Sequence, residues 1–263
     1  MNCNNLYRLP SIWKRVGSVW YRHFRVYNSN FFSNAFPPFL EPLILLAGLG
    51  IGFGSYIQTM GAMSYILFLA SGIVVSSSMY TAAFECTYGT FIRLEFDKVY
   101  DGMLGAPISA NNLILGEILF AGSKGFFFSL AVLIVTWLTG IITYPWSIMA
   151  AVVGFICGIM FGTLSMWITS FVKNINHFNF YFTGLLSPMF FFSGAVFPLE
   201  KLPPTLQWAA QAIPLTHAVT MARAFCAPGL LNSHLLMDLL YCVIFIVITA
   251  WLAVRGLKKR MID

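Results

Sequence analysis

The sequence predicts an all-α membrane protein that crosses the bilayer six times. Two observations carry that prediction. Hydrophobic residues make up 59% of the chain and charged residues only 9%, with a mean hydropathy of +0.79, whereas soluble domains carry about 25% charged residues. The apolar residues also arrive in blocks about 20 long, the length an α-helix needs to cross roughly 30 Å of hydrocarbon. An ordinary cytosolic domain is excluded.

In chain order, a sliding hydropathy window marks Phe36 to Ile57, Ala62 to Phe84, Leu113 to Thr139, Trp146 to Val172, Phe178 to Val196, and Leu235 to Val254. Residues 1–34 then form a cytoplasmic amphipathic segment and 35–254 the membrane domain, with a cytoplasmic loop at 87–109 and an outer region at 197–233. Residues 255–263 form a basic cytoplasmic tail. With both termini inside, the inner segments hold Arg8, Lys14, Arg15, Arg22 and Arg25, then Arg93 and Lys98, then Lys173, then Arg255, Lys258, Lys259 and Arg260. The outer segments hold only Lys201 and Arg223, so the positive-inside rule orients the chain.

The net charge of +6 is placed at membrane edges rather than along one solvated face, which speaks for topology and against nucleic acid. Cys3, Cys86, Cys157, Cys226 and Cys242 are odd in number and scattered, so neither a disulfide framework nor a zinc site is indicated. The first thirty residues contain no continuous apolar stretch with a small-residue cleavage site, and no signal peptide is read there.

Before the first span, Ile12, Val16, Val19, Trp20, Phe24 and Tyr27 share one side of a 3.6-period helix, and Lys14, Arg15, Arg22 and Arg25 the other. This describes a helix lying on the inner membrane surface, either as a plain anchor or as an element that also touches a cytoplasmic partner. In the fourth span Gly154, Gly158 and Gly162 leave one face bare. That stripe serves close packing inside the subunit or, as the second reading, a dimer seam. Gly48, Gly50, Gly52 and Gly54 lower helix propensity at the end of the first span, where a kink or early fraying is expected.

Between the second and third spans, Arg93, Glu95, Asp97, Lys98 and Asp101 are interleaved with Phe91, Leu94, Phe96 and Tyr100. The stretch is too charged for lipid and too aromatic for a simple linker. It predicts a short helix ended by Gly102 or Gly105 and Pro107, offering apolar side chains to a partner's groove or packing only on its own protein. On the outside, prolines at 198, 203, 204, 214 and 228 interrupt an otherwise apolar stretch and forbid a spanning helix. Two short helices dipping into the outer leaflet are expected, with an ordinary extracellular cap as the alternative.

Ionisable groups are scarce in the spans: Glu41 and Glu85 near inner boundaries, Glu117 and Lys124 in the third span, and Asp238 near the outer end of the last. Lys124 lies about two turns beyond Glu117 on much the same helix face. A lone ammonium at the bilayer centre costs on the order of 2.5–3.5 kcal/mol, so Lys124 must face protein, water or substrate. Pairing with a carboxylate is the favoured reading and contact with an anionic headgroup the other. No GxxxxGK[ST], HExxH or GxSxG occurs, and His23, His177, His217 and His234 are dispersed. Nothing in these motifs points to catalysis or a cofactor in this chain.

The stretch Ser193-Gly-Ala-Val-Phe-Pro-Leu-Glu-Lys-Leu-Pro203, followed by Pro214-Leu-Thr-His217 and Arg223, resembles the C-terminal signature of type-2 ABC exporter membrane subunits. Phe84-Glu-Cys-Thr-Tyr-Gly-Thr-Phe91 and Leu104-Gly-Ala-Pro-Ile-Ser109 resemble that family's segments around the cytoplasmic loop. The likeness spans nearly the whole chain and is strongest to the branch that includes nodulation-factor (lipo-oligosaccharide) export permeases. Ser71 stands where this branch is expected to carry proline. The resemblance implies a bacterial inner-membrane permease without enzymatic activity, paired with a second copy and two ATPase subunits that bind ATP and Mg. Residues 91–101 would be the coupling helix and the N-terminal helix the connecting helix. Phe197, Pro198, Glu200, Pro203, Pro214, His217 and Arg223 would belong to an outer gate. The implied substrate is an amphiphile such as a lipid-linked oligosaccharide, with a hydrophobic drug as the alternative. A proton-coupled secondary transporter using Glu117 and Lys124, and a non-transporting scaffold, are the rival classes.

Overall fold

A computed structural model describes residues 10–60, 63–227, 229 and 234–262. Cys3, Arg8, Ala62, Pro228 and Ser233, which entered the reading above, lie outside the described residues. The described chain is helical almost throughout, apart from one two-stranded hairpin, β1 (Thr59–Met60) with β2 (Met63–Ser64), paired Thr59 to Ser64 and Met60 to Met63.

The N-terminal helix α1 (Ile12–Ser29) packs its Val16, Val19 and His23 against α5 (Ala110–Leu138). A Cβ added at Gly116 would lie 2.6 Å from the Val19 side chain, so glycine is what allows the two helices to come this close. The buried seam is narrower than the apolar face expected from periodicity, because Ile12 and Phe24 remain exposed beside Trp13. A single residue, Asn30, separates α1 from α2 (Phe31–Gly54). Helix α2 is peripheral and runs unbroken through Gly48, Gly50 and Gly52 to Gly54. The helix stops at its last glycine, short of the expected Ile57, and of these glycines only Gly50 is in close contact, 3.3 Å from Ile66.

Helix α3 (Tyr65–Phe84) is buried on nearly all sides, the mark of a central helix. It does not stop at Phe84 as expected. The helix continues through two π turns, Glu85–Gly89 and Ile92–Phe96, so that one rod covers Tyr65–Phe96. The break comes at Lys98, whose φ of 50° is left-handed and costs on the order of 1–3 kcal/mol for a non-glycine residue. The short α4 (Val99–Leu104) follows and ends at Gly105. Ser109 then caps α5 by accepting from Asn112 N–H.

Helices α5 and α6 (Met149–Thr169) form the most extensive helix pair. Their contact is built from backbone: a Cβ on Gly125 would lie 2.8 Å from the Gly154 carbonyl and 3.0 Å from Gly158 Cα. Ser78 on α3 donates to the Gly154 carbonyl at 2.5 Å, and Ser129 on α5 donates to the Val74 carbonyl at 2.7 Å. The glycine stripe of the fourth span is therefore used within the subunit, where small residues let dispersion act at short range.

The expected fifth span, Phe178 to Val196, is shorter than foreseen. It consists of α7 (Phe178–Tyr181), a π turn (Phe182–Leu186) and α8 (Ser187–Phe192), about 22 Å in all at 1.5 Å per residue. Left-handed Gly194 turns the chain away two residues later. Two helices follow, α9 (Pro204–Gln211) and α10 (Pro214–Cys226), each opened by a proline, where the missing N–H is not needed. The last helix, α11 (Leu235–Ile262), carries the basic tail as part of the same helix, with Leu257 buried. Among the described residues, five helices are long and apolar enough to cross a membrane.

Candidate functional site

The π-turned end of α3 brings Glu85 and Arg93 together, and α5 presents Glu117 and Lys124 to them. Arg93 bridges both carboxylates: Nη1 donates to Glu85 Oε1 and Nη2 to Glu117 Oε2, each at 2.7 Å. Lys124 Nζ donates to the remaining Glu85 oxygen at 2.8 Å. Tyr100 of α4 donates to Glu117 Oε1 at 2.7 Å, and His23 Nε2 of α1 lies 2.8 Å from that same oxygen. The Glu117 side chain is 0% exposed. Buried charge is tolerated only when paired and hydrogen-bonded, and here two carboxylates face two permanent cations. Residues of α1, the α3 rod, α4 and α5 are thereby tied at one point.

Glu117 and Lys124 share a helix face as expected, yet they do not pair with each other. Each reaches across to the α3 rod instead, because two turns of helix separate them. The carboxylate pairing favoured for Lys124 is present, with Glu85 as its partner. His23 was not among the candidate residues. Its signal was legible, since it continues the spacing of Val16 and Val19 on the buried seam as a titratable group on an apolar stripe.

The segment expected to offer its aromatics to a partner is divided. Phe91, Leu94 and Tyr100 are buried in this chain, and Arg93 is spent on the carboxylates, so these are corrected to inward-facing positions. Arg260 of α11 closes the other side, pairing with Glu95 at 2.8 Å, donating to the Thr169 carbonyl and lying over the Phe91 ring. What remains outward is a small knob of Phe96, Asp97, Lys98 and Asp101, with Phe96 63% exposed. Burial and the Glu117 charge push the Tyr100 hydroxyl well above its ordinary range, which keeps it a hydrogen-bond donor. On α1, Lys14 and Arg25 are exposed and Arg15 and Arg22 half-buried.

Of two cavities, one borders this network and the other lies at the far end of α3. A lateral one of about 1010 Å³ lies between α2, α3 and α8, with Lys124 among its lining residues. A second one of about 780 Å³ is lined by Pro198, Glu200, His217, Arg223 and Asp238, among others. His217 Nδ1 meets Asp238 Oδ1 at 2.7 Å and Nε2 donates to the Gln211 carbonyl at 2.9 Å. Arg223 donates to Ser71 Oγ at 3.2 Å and to the Gly194 carbonyl at 2.9 Å, with its guanidinium 3.7 Å from the centre of the Phe68 ring. Ser71 thus gives Arg223 an acceptor that proline could not supply. Phe197 packs edge-on against Phe192, Pro203 precedes α9, and Pro214 opens α10 as a buried residue.

The family model described as ABC-2 type transporter matches residues 14–226. The chain belongs to the ABC-2 type transporter family. It is 29% identical over 249 residues to Nodulation protein J of Sinorhizobium fredii, covering 94% of each chain. It is 31% identical over 249 residues to Nodulation protein J of Rhizobium leguminosarum bv. trifolii, covering 93% of each. It is also 21% identical over 209 residues to the inner membrane transport permease YadH of Escherichia coli, covering 79% of this chain and 81% of that one. The charge network lies between α1, the exposed knob and the lateral cavity.

Proposed function

We propose that this ABC-2 type protein is the permease subunit of an ATP-driven exporter that moves an amphiphile, such as a lipid-linked oligosaccharide, outward across a bacterial inner membrane. The observation that supports it most is the Arg93-centred network, which joins an exposed polar knob to the floor of a lateral, largely apolar cavity. The ATPase is a separate polypeptide that binds ATP and Mg, and it engages the knob at Phe96, Asp97, Lys98 and Asp101. Two permeases and two ATPases form the working unit, with both termini cytoplasmic. The Phe178–Phe192 helix completes the bilayer crossing as the sixth pass, and α9 and α10 form re-entrant outer-leaflet helices around the second cavity. A push on the knob turns Arg93 against Glu85 and Glu117, which displaces α5 relative to α3 and alters the lateral cavity that Lys124 borders.

The likeness to the nodulation proteins supports a saccharide-bearing amphiphile as the substrate. The test is co-reconstitution of the chain with the P-loop ATPase that purifies with it, followed by ATP-dependent movement of a lipid-linked oligosaccharide in vesicles. Reversing the charges at Asp97 and Lys98 is expected to abolish ATPase binding while leaving membrane insertion intact. Transport by the chain alone, or transport that follows a proton gradient and survives ATP depletion, would sink the reading.

A further inference from the structure

We infer that the lateral cavity binds amphiphiles carrying an organic cation, with Glu41 as the anionic anchor. The site rests on the cavity's own chemistry, and only the fate of the bound molecule depends on the export reading above. Glu41 lies ten positions after Phe31 in α2, about 15 Å along the axis, near the middle of a helix long and apolar enough to span a membrane. It is exposed and lines the cavity. Its carboxylate takes part in none of the ion pairs among the described residues. An unpaired carboxylate facing a cavity from such a helix marks a functional position.

The other charges of the region do not offset it. The cavity's cation, Lys124, is already held 2.8 Å from Glu85, with its ammonium 4.8 Å from the centre of the Tyr27 ring. Lys124 and Arg93 are engaged with Glu85 and Glu117, and neither is paired with Glu41. An anionic headgroup would have to break the Lys124 pair and approach Glu41 as well. A cation meets neither obstacle. Phe36, Phe84 and Phe191 line the same cavity with large exposed areas, and aromatic faces attract ammonium groups. Leu40 and Ile44, also in the lining, can take an alkyl chain. The volume of about 1010 Å³ is at the upper end of small-molecule sites.

The test compares three dansyl-labelled C12 probes, bearing a trimethylammonium, a sulfonate or a glucoside head, binding to the purified chain in nanodiscs. The ammonium probe is expected to bind about tenfold tighter than the sulfonate. Glu41→Gln is expected to bring that ratio near one, and Glu41→Asp to keep most of it. Equal binding of both charged probes to the unmodified chain, or an unchanged ratio in Glu41→Gln, would overturn the inference. So would a shift of Glu41→Gln from dimer to monomer with the probe ratio intact, since Glu41 would then serve a second copy. ATP-driven movement of a lipid-linked oligosaccharide by the chain with its ATPase is measured in parallel. Its absence alongside a Glu41-dependent binding ratio would refute the export reading and leave the site standing.

Discussion

Lys124 and Glu85, thirty-nine residues apart, meet at 2.8 Å where the lateral cavity adjoins the buried charge network. The contact joins the middle of α5 to the π-turned end of the central rod. It makes cavity and knob parts of one electrostatic unit, because Glu85 also holds Arg93. Lys124→Met and Glu85→Gln are each expected to lower stability, and the double variant to lose less than the sum. A coupling of about 1–3 kcal/mol in a double-mutant cycle, read from thermal or denaturant unfolding in detergent, is the expected result; strict additivity would contradict the pairing.

Glu117 is the most enclosed acceptor in the network, fully buried, accepting from Arg93 and Tyr100 and lying 2.8 Å from His23 Nε2. Truncation in Glu117→Ala leaves Arg93 buried with one partner fewer, a situation that typically costs about 3–5 kcal/mol. The expected outcome is poor yield of folded protein and a marked fall in Tm. Little change in either would mean that water reaches the site.

Glycine at 125 is expected to be irreplaceable where glycine at 52 is not. A Cβ at Gly125 meets the Gly154 backbone oxygen at 2.8 Å, whereas one at Gly52 meets nothing within 4 Å. Gly125→Ala should force α5 and α6 apart and cost about 1–3 kcal/mol, while Gly52→Ala should gain up to about 1 kcal/mol of helix propensity. Unfolding of the two variants side by side checks this, and equal behaviour would deny the close helix contact.

Tyr100 supplies a pH dependence. Burial and the neighbouring Glu117 charge raise its hydroxyl well above its ordinary value of 10.0. Above that ordinary value the unfolded chain loses the proton while the folded one keeps it, so stability falls as pH rises until the folded group also ionises. Tyr100→Phe removes this component, so its stability should decline less steeply between pH 10 and 12 than that of the unmodified chain. Parallel slopes in that window would show that Tyr100 is not the group concerned.

Much of this protein was legible in its residues alone. Apolar block lengths announced long membrane helices, and the α6 glycine stripe announced close packing. The prolines at 204 and 214 announced two short helices. These are local properties: hydropathy, helix propensity and proline geometry act within a few residues, so a linear reading reaches them. The shortness of the Phe178–Phe192 helix escaped that reading, because hydropathy continues through Ser193 and Ala195 while the backbone turns at Gly194.

The partners of the charges were a matter for tertiary structure. Glu117 and Lys124 suggested each other from one helix face, but α3 continued past Phe84 and carried Glu85 and Arg93 between them. The same continuation buried Phe91 and Tyr100 and left Phe96 to Lys98 outside. Desolvation explains the difference: a membrane helix is required by the composition of its own segment, whereas a buried ion must find its counter-ion wherever packing places one, and that is decided only when distant helices come together.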